Sequence, residues 1–230
     1  MNPLIAIEYN NFAVSLMKKD KMESAITVLT TALEASKKTF LECNDGDADS
    51  LELSTKSLDD YMRHSSALPS MGSHTSGYKR SKGFIYSTAI WIPVVCTHDY
   101  ESSVSISSAI LFNLGLAHQL LAMERHPAIC TNRAENLQNA SQMYQLAYQM
   151  QVEDSSESNL LFQMATLNNL GFVFRGMNDS ISSHQCFQLV LSNLLCAVDC
   201  GEGDASEYDN FFENMSHLIF HRECPVAVAA

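Results

Sequence analysis

Positive charge is scarce in this 230-residue chain: 14 lysines and arginines stand against 26 aspartates and glutamates, a formal charge of -12. Such a balance repels phosphate backbones and anionic headgroups, so neither nucleic acid nor a membrane is an expected partner. The basic run Lys79, Arg80 and Lys82 reads as a solvated loop. Long apolar runs are missing too. Phe84 to Val95 is only a dozen residues and contains Ser, Thr and Pro, short of the roughly 18 uninterrupted apolar residues a bilayer span needs. The N-terminus has no basic region followed by an apolar stretch and a small-residue cleavage site, so secretion is not expected. No GxSxG, P-loop or GxGxxG is present, which leaves no nucleophile elbow or phosphate cradle. No enzyme activity and no cofactor are therefore expected. Seven cysteines, an odd number with no CxxC, suit thiols in a reducing compartment, cytoplasmic or alternatively nuclear. The Asn-x-Ser triplets at Asn139, Asn178 and Asn214 are then chance matches.

What the chain does have is enough apolar residue, 46%, for a sizeable core, and a repeat obscured by insertions. In one segment Leu170-Gly171 is followed by Phe174, then by Ser183, Phe187 and Val190. An earlier segment, Phe12-Ala13, is followed at the same offsets by Leu16, Ala25, Leu29 and Ala32. Between them, Leu114-Gly115 and His118 precede Ala140, Tyr144 and Ala147, with the closing trio thirteen residues late. The pattern predicts antiparallel helical hairpins whose backbones cross at Ala13, Gly115 and Gly171, with larger residues filling the grooves beside them. Tyr9, Phe12 and Leu16 form one stripe at helical spacing on the first helix, and Met22, Ala25, Leu29 and Ala32 form another on the second.

These large-small pairs, with small, aromatic and small residues in the following helix, resemble the tetratricopeptide repeat family over about half the chain. The resemblance departs at Ala13, at His118 where an aromatic is usual, at Ser183 in place of alanine, and in lacking the closing proline. It implies an all-α fold of stacked antiparallel helical hairpins forming a superhelix. The expected divisions are a first hairpin at 1–41, a flexible acidic and Ser-rich loop at 42–83 and an extended aromatic segment at 84–98. A second hairpin with an insertion follows at 105–152, a third hairpin at 159–198 and a capping helix at 206–222.

Within the long loop, Leu51, Ser54, Leu58 and Tyr61 suggest a short helix over 51–62. The run from Phe84 to Pro93 is rich in aromatic and β-branched residues and reads as a β-type insertion. A lone strand cannot close a sheet, so it must form a ribbon with itself or pack flat on the helices, and Tyr86 and Trp91 could alternatively be exposed anchors for a partner. Tyr208, Phe211, Phe212, Met215 and Ile219 predict the amphipathic cap.

An asparagine precedes the large-small pair in every repeat: Asn11, Asn113 and Asn169. The resemblance implies that this position lines a concave groove, where an amide can pair with both the donor and the acceptor of a peptide backbone. A packing role inside the fold is the competing reading. Phe112, Leu116 and Phe172 would make the groove apolar, and Arg175 is the cation expected beside it. The basic clamp of the chaperone-tail subtype is not matched, since Ala165, Asn169, Asn10 and Val14 stand at its places and only Asn113 fits. The expected partner is a protein or peptide, an amphipathic helix or extended apolar segment. Self-association, or a groove filled by the chain's own 42–83 loop, is the structural alternative. His217, His221 and Cys224 have the spacing of three metal ligands but lack the glutamate of HExxH, so metal is a remote third reading. Cys196 and Cys200, one turn apart, are expected to be buried thiols.

Overall fold

The computed structural model describes residues 3–43, 57–67, 85–93, 100–123, 132–153, 159–201, 208–212 and 214–215. Seven helices run in chain order: α1 Pro3–Met17, α2 Met22–Cys43, α3 Leu58–Ala67, α4 Tyr100–Met123, α5 Arg133–Glu153, α6 Leu160–Gly176 and α7 Ser180–Cys200. Residues 208–212 and 214–215 are also helical. The chain is thus all-α, and no strand occurs among the described residues.

The hairpins α1–α2, α4–α5 and α6–α7 pair as the spacing predicts, and they stack through α2 against α4 and α5 against α6. At the crossings, a Cβ on Gly171 would lie 2.9 Å from the Phe187 ring, and one on Gly115 would lie 3.0 Å from the Tyr144 ring. These two positions need glycine because an aromatic from the facing helix occupies the side-chain space. In the first hairpin the same register sets Leu29 against Ala13, both fully buried, and the smaller ring-free side chain leaves room for a methyl group. The turns repeat as well. Asp20 and Asn178 sit at equivalent places with φ of 56° and 63°, a left-handed conformation that Asp and Asn adopt more readily than most residues. Behind them the Lys21 N–H reaches the Leu16 carbonyl, as the Asp179 N–H reaches that of Phe174. The thirteen extra residues of the second hairpin are spread over a longer connection and about one more turn on each of α4 and α5.

Several expectations change. The stripe of Tyr9, Phe12 and Leu16 is not the buried face of α1: Tyr9 and Phe12 are exposed, whereas Ala6, Ile7, Asn10, Ala13 and Val14 are buried. Leu114 and Leu170, the equivalents of Phe12, are buried on helices that pack against the preceding α2 and α5, whereas Phe12 on α1 is 57% exposed. The 42–83 region is not one loop. α2 continues to Cys43, and α3 stands inside the region at Leu58–Ala67, so the helix expected over 51–62 begins later. The remainder, 44–56 and 68–83, lies outside the described residues. The second hairpin widens to Tyr100–Glu153, and the third runs from Leu160 to Cys200. In the expected cap, Tyr208, Phe211 and Met215 are buried while Phe212 is 38% exposed, and Ile219 lies outside the described residues. Cys196 and Cys200 are exposed, their Sγ atoms 4.0 Å apart, because both fall on the open side of α7.

By length and composition alone, Val104–Met123 and Ser180–Cys200 could cross a bilayer. Of the first, 78% is buried within the fold, the mark of a core helix; of the second, 33% is. Ile181, Leu189, Leu195 and Val198 are exposed on α7, interleaved with Gln185, Gln188 and Ser192.

Candidate binding groove and its occupant

α4 adjoins both α1 and α6, and residues 85–93 lie along the three helices. In an extended chain the N–H and C=O of one residue point to the same edge, and alternate residues point to opposite edges. A primary amide offers an acceptor and a donor side by side and can therefore pair with one such residue as a neighbouring strand would. Three asparagines do so. Asn169 Oδ1 accepts the Tyr86 N–H at 2.9 Å while its Nδ2 donates to the Tyr86 carbonyl at 2.9 Å. Asn113 accepts from the Ile90 N–H at 2.7 Å and donates to its carbonyl at 2.8 Å. Asn11 accepts from the Ile92 N–H at 2.9 Å and donates to its carbonyl at 2.7 Å.

The opposite edge of the segment meets α3, where Ser65 Oγ accepts the Trp91 N–H at 2.7 Å and donates to the Tyr61 carbonyl at 2.7 Å. Asparagine side chains stand where a sister strand would, so the expected β-type insertion is extended backbone without a sheet. Its sequence is strand-like because the slot demands it: Ile90 and Ile92 are fully buried, each worth about 1.5–3 kcal/mol. Tyr86 is half-buried, its ring edge-on to Phe112 at 6.2 Å and stacked with Phe211 at 6.5 Å. Trp91 is also half-buried. Neither aromatic is a fully exposed anchor.

The amides support one another. Asn10, absent from the expected site, donates to the Ile90 carbonyl at 3.0 Å and to Asn11 Oδ1 at 3.2 Å, and accepts from Asn113 Nδ2 at 2.9 Å. At the other end Asn214 donates to Asn168, Asn168 to Asn169, and Asn169 to the Tyr144 hydroxyl, which donates to Gln119 Oε1 at 2.8 Å. Burial pushes the Tyr144 phenol far above its ordinary value, so it stays protonated as a donor.

α3 is fixed by two reciprocal caps. Asp59, buried, accepts the Leu161 and Phe162 N–H groups at 3.0 and 2.9 Å, taking the place of an N-cap side chain for α6. Asn159, which precedes α6, accepts the Leu58 N–H at the start of α3 at 2.9 Å. Ser57 adds a local cap to the Asp60 N–H at 3.2 Å.

The remaining expected site residues divide. Phe112 lies under the segment, packed on Tyr144 and Phe162 at 5.6 and 5.7 Å, and Leu116 is fully buried in the core. Phe172 and Arg175 belong elsewhere. Phe172 packs edge-on to Phe187 at 5.3 Å, and the Arg175 guanidinium lies over both rings at 5.3 and 5.1 Å. The α6–α7 hairpin thus supplies a cation–π seat for Arg175, and partial burial lowers its pKa. His217, His221 and Cys224 lie outside the described residues, as do Lys79, Arg80 and Lys82. No group of three or more His, Cys, Asp or Glu side chains able to hold a metal occurs among the described residues.

A separate cleft of about 280 Å³ is lined by Glu23, Ile26, His118, Leu121, Glu135 and Asn136, among others from α2, α4 and the start of α5. His118 Nδ1 and Asn136 Oδ1 lie 2.8 Å apart, a hydrogen bond in the tautomer that carries its proton on Nδ1. Burial lowers the imidazole pKa against the opposing influence of Asn136 and Glu135. The cleft shares no residue with the asparagine row.

Missing from the expected site were Asn10, Asn168, Ser65 and Asp59. The doublets Asn10-Asn11 and Asn168-Asn169 were visible at equivalent repeat positions. Ser65 and Asp59 carried no comparable signal, being ordinary polar residues on a short helix. Structure and site together define the class: an all-α stack of helical hairpins with a row of amides that holds extended backbone. No family model, no curated protein and no solved structure matches the chain.

Proposed function

We propose that this chain is a protein-interaction scaffold of tetratricopeptide-like architecture, whose asparagine row is a seat for extended peptide and whose resident occupant is its own segment 85–93. The observation that carries the reading is the set of paired bonds from Asn11, Asn113 and Asn169 to the backbone of Ile92, Ile90 and Tyr86. Each asparagine comes from a different hairpin and sits at the same repeat position, so the row belongs to the scaffold and not to any single hairpin. The bonds go to main-chain atoms, so they hold the occupant's backbone, and selection among occupants falls to the surroundings of its side chains. No catalytic step and no cofactor enter this proposal. A reducing, cytoplasmic or nuclear setting goes with it.

The second reading is structural: the segment is core, and the asparagines only satisfy its backbone. Full burial of Ile90 and Ile92 favours it. The occupant differs from the one expected, since 85–93 fills the face and α3 borders it.

Hydrogen exchange and circular dichroism on the intact chain, with and without the paired substitution Asn113→Ala and Asn169→Ala, separate the two. A scaffold keeps its helix content while the amides of Tyr86, Ile90 and Ile92 lose protection. Loss of helicity in step with those amides would mean that the segment is core and the scaffold reading is wrong.

A further inference from the structure

The segment shows what the seat selects. Its clamped residues are Tyr86, Ile90 and Ile92, all of one parity, so their amides face the asparagines while their side chains share one face. Ile90 and Ile92 are wholly enclosed and Tyr86 is held between Phe112 and Phe211. The clamping groups are uncharged amides, and the chain around them carries a formal charge of -12. An acidic segment would meet repulsion from that net charge, and Arg175, the cation expected beside the groove, is instead engaged with Phe172 and Phe187. Proline cannot stand at a clamped residue, since each donates its N–H.

The segment is also separable in principle from the hairpins. The interfaces α1–α2, α2–α4, α4–α5, α5–α6 and α6–α7 are direct helix contacts. α3 is fastened to α6 through Asp59 and Asn159, buries Leu58, Tyr61 and Met62 in the core, and holds the segment through Ser65.

We infer that residues 85–93, steadied by α3, are an exchangeable self-ligand, and that the seat takes in its place an extended, uncharged peptide with an aromatic residue and β-branched residues four and six positions later. This rests on the scaffold reading. A tethered ligand competes at an effective concentration in the millimolar range for a short connection, so a free peptide gains access when the self-ligand is weakened.

The test uses the full chain and a fluorescent, end-blocked peptide with the sequence of residues 84–94, read by anisotropy. The protein is compared as wild type and with Ile90→Ser plus Ile92→Ser, which weaken the self-ligand and leave the asparagines in place. Should that pair compromise folding, Ser65→Ala, which releases one edge of the segment, replaces it. The weakened chain should bind the peptide at least about tenfold more tightly than wild type. A peptide with serine at both β-branched positions, or with aspartate at the first, should bind at least about tenfold more weakly than the parent. Equal binding by a scrambled peptide overturns the stated ligand class and leaves the scaffold intact. Equal binding by wild type and weakened chains overturns self-competition. If no peptide binds a folded variant whose segment amides exchange freely, the scaffold reading fails with the inference.

Discussion

Replacing Gly171 with alanine would put a methyl carbon 2.9 Å from two ring carbons of Phe187 and 3.2 Å from a third. Ordinary contact needs another half ångström or more. The ring cannot easily yield it, being 1% exposed, packed against Phe172 and overlain by Arg175. Overpacking of this kind costs about 1–3 kcal/mol, and removing a helical glycine returns about 1. The net expectation is a destabilisation of up to about 2 kcal/mol. Phe187→Leu alone should also destabilise, through the space it leaves. Together the two changes recreate the Ala13 and Leu29 arrangement of the first hairpin, so the double variant should be about 1–2 kcal/mol more stable than the sum of the single effects. Urea unfolding of the four proteins, followed by circular dichroism, measures this coupling. Additivity within about 0.5 kcal/mol would refute the claim that ring size on the second helix dictates the small residue on the first. Gly115 offers a contrast. Tyr144→Leu should not rescue Gly115→Ala, because Asn169 and Gln119 would lose their bonds to the phenol.

Asn113→Ala leaves the buried Ile90 N–H and the Asn10 oxygen without this partner and should cost about 2–4 kcal/mol. Asn169→Ala, whose bonds to Tyr86 are only partly buried, should cost about 1–2; urea midpoints in the reverse order would contradict the burial argument. Asp59→Ala deprives the Leu161 and Phe162 N–H groups of their acceptor, and should cost about 2–3 kcal/mol with proteolysis appearing first within 57–67. Cleavage starting elsewhere would show that α3 is not held by this cap. His118 ionises below 6.5 in the folded chain and near 6.5 when unfolded. The stability it contributes is complete above that pH and declines as pH falls towards the folded value. His118→Gln should flatten the dependence of the urea midpoint between pH 7 and pH 5, and an unchanged slope would assign it to another group.

The all-α class and the three hairpins were readable because the crossing residues recur at fixed offsets: a glycine or alanine on one helix, a large side chain sixteen residues later in two of the three cases. Local signals carried that far. The asparagine row was readable for the same reason, being locked to the same repeat. Its occupant was not, because Tyr86 meets Asn169, Ile90 meets Asn113 and Ile92 meets Asn11 across separations of 83, 23 and 81 residues with no shared periodicity. One physical clue was present. An apolar extended run with no second strand must still satisfy its buried backbone, and a row of amides was the group able to do so. Phe172 and Arg175 were misplaced because their sequence proximity to Asn169 said nothing of rotation about α6, which turns them towards Phe187. Phe12 was misread since a repeat pattern alone does not reveal which of the equivalent positions, Phe12, Leu114 and Leu170, are covered by another helix.

Distance along the chain also sets an order of events during synthesis. Residues 85–93 leave the ribosome when Asn11 already exists but Asn113 and Asn169 do not. With Asn169 83 positions after Tyr86, and elongation at about 5–20 residues per second, the last clamp follows on the order of 4 to 17 seconds later. Through that interval Ile90 and Ile92 have no completed slot, and the nascent chain presents an uncharged, strand-prone stretch to whatever surrounds it. Slow codons between residue 93 and the end of α6 would lengthen this exposure, so the yield of folded protein should fall when translation slows there.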